Sequence, residues 1–83
     1  MRIIYVDDEQ FALQKLERLL LKVAPEAERH GFLRAKEAMD FASENPVDVA
    51  LLDVNMRVLD GVTMAKRLQT LYPNINIIFC TGY

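Results

Sequence analysis

Strict alternation between short strand-like runs and segments of helical spacing constrains this chain more than any other feature. Ile3-Ile4-Tyr5-Val6 ends on Asp7-Asp8-Glu9, Val47 to Leu52 ends on Asp53, and Ile75 to Cys80 ends on Thr81-Gly82-Tyr83. Short β-rich apolar runs of this kind read as strands buried on both faces of a sheet. Arg29 to Arg34 is polar and interrupted by Gly31, so it reads as an edge strand. Between the runs lie three helical patterns. Leu13, Leu16, Leu20 and Val23 recur at helical spacing ahead of Pro25, and Phe11, Leu19 and Leu21 widen that stripe. Lys36 to Glu44 carries Ala38, Phe41 and Ala42 and stops at Asn45-Pro46. Asp60-Gly61 opens a third pattern of Val62, Met64, Ala65, Leu68 and Leu71, ended by Tyr72-Pro73-Asn74. The order β-α-β-α-β-α-β predicts an α/β fold: a parallel sheet joined by right-handed crossovers.

Composition narrows the function. At 83 residues the chain is one small domain, and its net charge of −2 gives no footprint for nucleic acid or anionic lipid. No apolar run approaches the ~18 residues of a membrane helix, and no signal-peptide core follows Met1-Arg2, so a cytoplasmic location is expected. A single cysteine, Cys80, excludes an internal disulfide and a cysteine-based zinc cage.

Chemistry is expected where the strands end. Ligands of open parallel sheets bind outside the carboxyl ends of the strands, which here carry Asp7, Asp8, Asp53 and Thr81. If those strands are neighbours, three carboxylates converge. Like charges that close raise a pKa unless a cation sits among them, and an all-oxygen donor set suits a hard ion such as Mg²⁺. A plainer reading stands beside this one, in which Asp7 or Asp8 only caps the first helix. Asp53 opens no helix, whereas Asp60 precedes Gly61 and reads as a turn or cap residue. His30 reads as a surface residue and Cys80 as a small hydrophobe within a strand.

Taken together, the motifs Ile3 to Glu9, Leu51-Leu52-Asp53-Val54-Asn55-Met56, Asp60-Gly61 and Ile77 to Thr81 resemble the receiver domain of two-component response regulators. The ending Thr81-Gly82-Tyr83 is similar to receivers joined to LytTR-type DNA-binding domains. The resemblance implies a flavodoxin-like, doubly wound parallel sheet, here with four strands in the order 2-1-3-4 and three helices. It implies that Asp53 accepts a phosphoryl group from a sensor histidine kinase. It further implies that Asp8, Asp53 and the carbonyl of Asn55 hold Mg²⁺, with Asp7 acting through a bound water and Thr81 donating its hydroxyl to the phosphoryl group.

Two departures accompany the resemblance. Arg57 stands where the family has proline, and the family's fifth-strand lysine has no counterpart, Lys66 lying within the third helical pattern. Residues 1–83 therefore read as a truncated receiver lacking the last strand and the last two helices. Four strands span roughly 19 Å and one helix covers about 10 Å, so Val49, Leu51, Ile75, Ile77 and Phe79 are expected to be partly bare. That predicts a homodimer or swapped oligomer through the uncovered face and edge, unless Leu19 and Leu21 close the gap. The alternative functions are a phosphorylation-independent docking or dimerisation module and, remotely, a haloacid-dehalogenase-like phosphatase, whose Asp-x-Asp signature is broken by Asn55.

Overall fold

A computed structural model of the chain describes residues 1–56 and 59–80. Its elements are β1 (Arg2–Val6), α1 (Gln10–Val23), β2 (Glu28–Phe32), α2 (Ala35–Glu44), β3 (Val49–Asp53), α3 (Gly61–Leu71) and β4 (Asn76–Cys80). The sheet runs β2-β1-β3-β4, with every neighbouring pair parallel, as the alternation predicts.

Period-two side-chain direction divides the sheet into two faces. Ile4, Val6, Ala50 and Leu52 join Ala38 and Ala42 of α2 and Met64 and Leu68 of α3 in the larger core. Ile3, Tyr5 and Leu51 join Leu20 of α1 in the smaller one. Small alanines on α2 let that helix lie close to the strands. Tyr72, just past α3, donates its hydroxyl to the carbonyl of Ala42 and ties α3 to α2.

The ends of α1 and the start of β2 depend on one side chain. Arg29 Nη1 donates to the carbonyls of Ala24, Pro25 and Ala27 at 2.9–3.1 Å, giving partners to oxygens that the finished helix and its turn leave over. At the same rim, Arg2 donates to Glu28 at 2.6 Å and His30 pairs with the same carboxylate at 2.6 Å. These two partners hold the Glu28 carboxyl down at about 2.

Several expectations need correction. The polar edge strand is Glu28–Phe32, shifted toward the N-terminus, and Gly31 does not interrupt it. A Cβ at Gly31 would strike the ring of Tyr5, passing 2.6 Å from Cζ. The third strand begins at Val49, after Val47, because the Arg2 N–H is taken at 2.7 Å by the side chain of Asp48 and not by a backbone carbonyl of β3. Neither Asp7 nor Asp8 caps α1: Glu9 occupies that position and makes no side-chain cap. Val23, placed in the apolar stripe by spacing, is exposed.

The predicted bare face is also different in detail. The register Leu51↔Ile78 places Ile78 on the α1 side, so Ile77 and Phe79 point to the α3 side instead. Leu51 and Ile75 are buried, while Ile78 is 50% and Phe79 45% exposed. Leu19 and Leu21 are exposed and do not close over that region.

Replacing Gly31 with alanine should cost roughly 1–3 kcal/mol, since Tyr5 is buried and its hydroxyl is held by Glu17 at 2.8 Å. Denaturant unfolding of Gly31→Ala, Tyr5→Leu and the double variant checks this. The loss should be clearly smaller when Tyr5 is already leucine, and strict additivity would place the clash elsewhere.

Candidate metal centre

Sheet order brings the acids together. β1 and β3 are adjacent and in register, Val6 beside Leu52, so the residues that follow leave the sheet side by side. Asp7 continues the ladder for one more bond, donating its N–H to the carbonyl of Phe32 at 3.2 Å. Its side chain then turns the chain: Oδ1 accepts the N–H of Glu9 at 2.9 Å. Asp53 ends β3 opposite Cys80, and its Oδ1 accepts the N–H of Asn55 at 3.1 Å. Carboxylate oxygens of Asp7, Asp8 and Asp53 all lie within 4.8 Å of one another.

Such a group is electrostatically strained. Asp7 is only 4% exposed, and burial pushes its carboxyl pKa up. The Glu9 N–H opposes that shift, while the charges of Asp53, Asp8 and Glu9 add to it. Burial likewise raises the Cys80 thiol, with Asp7 and Asp53 contributing, so Cys80 stays a protonated, partly covered strand residue.

The donor set fits a hard divalent cation. Two oxygens on opposite sides of Mg²⁺ stand about 4.2 Å apart, and on Ca²⁺ about 4.6–5.2 Å. A trio of oxygens within 4.8 Å is close enough for one such ion to gather. With only oxygen donors in the trio, neither zinc nor copper is favoured.

Other residues singled out by sequence fall outside the trio. Asp60 caps α3, accepting from Thr63 N at 2.8 Å and Thr63 Oγ1 at 3.2 Å, and the Thr63 N–H lowers its pKa. Lys66 acts on Asp60 from within α3. His30 belongs to the Glu28 cluster, its ring 4.4 Å from that of Phe41. Asn55 is exposed in the turn after Asp53. Thr81, like Arg57, Gly82 and Tyr83, lies outside the described residues.

Sequence reasoning missed two features. Gly61 was legible only as a helix start, yet a Cβ there would run into the carbonyl of Asp53 and lie 3.1 Å from the Cα of Val54. Its N–H donates to the Val54 carbonyl at 3.3 Å, so the glycine lets α3 sit directly against the turn that carries Asp53. The second is a cleft of about 570 Å³ beside the trio, lined by Asp8, Leu33, Arg34, Lys36, Met56 and Leu59, among others. Its residues come from three separate segments, and no local pattern announces it.

Comparison with known proteins agrees with this geometry. The family model of the response regulator receiver domain matches residues 3–83. The sensory transduction protein LytT of Bacillus subtilis is 31% identical over 83 residues, spanning 100% of this chain and 34% of that protein. The cyclic di-GMP phosphodiesterase response regulator RpfG of Xanthomonas campestris is 32% identical over 83 residues, spanning 98% and 22%. Thus the chain spans about a third of the length of one of these relatives and less than a quarter of the other. Among solved structures, a two component transcriptional regulator AraC from Clostridium phytofermentans superposes with a TM-score of 0.87 at 30% identity, covering all of this chain and 68% of that one. The chemotaxis protein CheY4 of Vibrio cholerae gives 0.82 at 25% identity, covering 94% and 65%.

Repulsion within the trio makes a linked prediction. A carboxyl whose folded pKa lies above its unfolded value of 3.8 destabilises the fold as pH rises through the raised value, and that penalty is relieved on acidification. Asp7→Asn, which keeps the acceptor for Glu9, should therefore raise the metal-free melting temperature near neutral pH by roughly 4–8 °C for each kcal/mol relieved. The gain should shrink toward pH 4, and Mg²⁺ should stabilise the wild type but not Asp8→Asn. Thermal melts in chelator and in Mg²⁺ give the answer.

Proposed function

The chain belongs to the response regulator receiver family of two-component signalling, and from that premise we propose that Asp53 accepts a phosphoryl group from a sensor histidine kinase, with Mg²⁺ as cofactor. The convergence of Asp7, Asp8 and Asp53 within 4.8 Å carries this reading. Asp8, Asp53 and the carbonyl of Asn55 would hold the ion, and Asp7 would act through a bound water. When bound, the ion offsets the charge that accumulates on the phosphoryl oxygens.

The chain's own residues supply the rest. An Oδ of Asp53 attacks phosphorus, the bond to the donor breaks, and the leaving group departs with the electron pair, giving an acyl phosphate. The Asn55 N–H holds the other orientation-setting contact, fixing which way the carboxylate turns. Thr81 would donate its hydroxyl to a phosphoryl oxygen and move toward it, converting a local charge into a shift of the loop. Gly61 lets α3 lie directly against the turn that carries Asp53. The module is a signalling domain, and any regulatory output or enzymatic activity would reside in other parts of a longer protein. Partnership with the kinase would place it in the cytoplasm. A haloacid-dehalogenase-like phosphatase is not favoured, because Asn55 stands where that chemistry needs an acid.

A second reading rests on β4. It is an edge strand among the described residues, with Ile78 and Phe79 about half exposed. An apolar, β-branched edge of this kind favours pairing with a second copy of the chain, giving a docking or dimerisation role that needs no phosphorylation.

Acetyl phosphate with Mg²⁺ should add one phosphoryl group to the intact chain, detectable as a mass gain that Asp53→Asn abolishes and Thr81→Ala slows. A folded chain that neither gains this mass nor binds Mg²⁺ would overturn the phosphoacceptor reading. Light scattering after size exclusion addresses the edge: self-association across the micromolar range is expected, and a monomer throughout would remove the second reading.

A further inference from the structure

A net charge of −2 hides an uneven surface. Leu13, Leu16 and Leu20 hold α1 against the sheet. At 3.6 residues per turn, Phe11, Lys15, Arg18 and Lys22 fall together on the opposite side of that helix, and all four are exposed. None of the three cations has an ion pair or a side-chain hydrogen bond among the described residues. The one acid within α1, Glu17, lies off this row and accepts from the hydroxyl of Tyr5. The outer side of α1 is therefore a straight basic row with an aromatic ring at its start.

That row begins at the acidic rim. Asp7, which stands with Asp53 in the trio, accepts the N–H of Glu9, and Glu9 is the N-cap of α1. Phe11 follows in the first turn and is 80% exposed. A macromolecule that reaches over the rim to Asp53 and lies along α1 meets Phe11 first and the cations after it. Lys15 to Lys22 spans roughly 10 Å at 1.5 Å per residue. Cations recurring at i, i+3 and i+7 are matched by acids of the same spacing on a second helix laid alongside. Leu19 and Leu21, about half exposed on the two flanks, add apolar contact that suits a protein surface better than a polyphosphate chain.

We propose that the row Phe11, Lys15, Arg18 and Lys22 selects the protein that phosphorylates this chain, and that the matching surface is a helix bearing acids beside its phosphohistidine. This inference rests on the phosphoacceptor reading of Asp53. In the transfer the Asp53 Oδ–P bond forms and the N–P bond to the imidazole breaks. That nitrogen leaves with the electron pair, while the second ring nitrogen takes a proton from water. The cations of the row touch none of the reacting atoms and act by favouring one class of donor. Because exposed charges carry the preference, it must weaken as salt is added.

The probes are two helical peptides, each with one phosphohistidine. One carries three glutamates spaced i, i+3 and i+7, and the other has glutamines at the same places. Transfer to the chain at saturating Mg²⁺ is followed by intact-protein mass, and the readout is the ratio of the two rates. At low ionic strength the wild type should react about 3–10-fold faster with the glutamate peptide, a preference that fades toward about 0.15 M salt, where the screening length is about 8 Å. Lys15→Gln/Arg18→Gln/Lys22→Gln should bring the ratio close to one, and Lys15→Arg/Arg18→Lys/Lys22→Arg should keep it. Lys66→Gln/Arg67→Gln in α3, on the other face of the sheet, should keep it too. A wild type without the preference, or a glutamine row variant that retains it, overturns the inference. So does binding to phosphatidylcholine–phosphatidylglycerol vesicles that the row variant loses, with no peptide preference, which would assign the row to lipid. Acetyl phosphate separates the two readings: if it labels Asp53 while the peptides are not distinguished, this inference fails alone. If the folded wild type takes no phosphoryl group from any of the donors, the phosphoacceptor reading fails and this inference falls with it.

Discussion

Parallel pairing of β1 with β3 is the constraint on which the rest depends. These two strands are far apart in sequence, yet their register sets Val6 beside Leu52 and releases Asp7, Asp8 and Asp53 at one rim. The apolar residues within the strands provide the free energy that holds this pairing. The acids oppose it, since three like charges within 4.8 Å are unfavourable without a cation. Folding energy from the core thus holds three like charges together at one rim.

Two close approaches keep that rim in order, and both need glycine for lack of space rather than for unusual backbone angles. At Gly31 the ring of Tyr5 lies against the edge strand, and Glu17 of α1 holds the ring by its hydroxyl. That hydrogen bond, with desolvation as the larger cause, pushes the Tyr5 pKa up to about 12, so the phenol stays protonated throughout the physiological range. At Gly61 the start of α3 lies against the Asp53 backbone. One glycine links β1, β2 and α1; the other links β3 and α3.

The two faces of the sheet are unequally covered. α2 and α3 bury Ile4, Val6, Ala50 and Leu52 on one side. On the other, α1 covers β1 and β3 but leaves Ile78 of β4 exposed. Coverage therefore falls off toward β4, which is where the second copy proposed above would sit. The cleft lies on neither face but at the carboxyl rim, where loops from three segments meet.

Local patterning determined the element order, the parallel sheet and the three acids, because strand runs that end on carboxylates leave a mark along the chain itself. The same holds for Asp60, whose position ahead of Gly61 announces a cap. Tertiary structure alone decided what depends on neighbours from elsewhere. Asp7 turns the chain by accepting from Glu9 instead of capping α1, and the register of β4 with β3 sends Ile78, not Ile77 or Phe79, to the α1 side. Gly31 answers to a tyrosine 26 positions away in sequence. Periodicity records which way a side chain points relative to its own element, whereas register, close approach and cleft lining are properties of pairs, fixed only when the sheet closes.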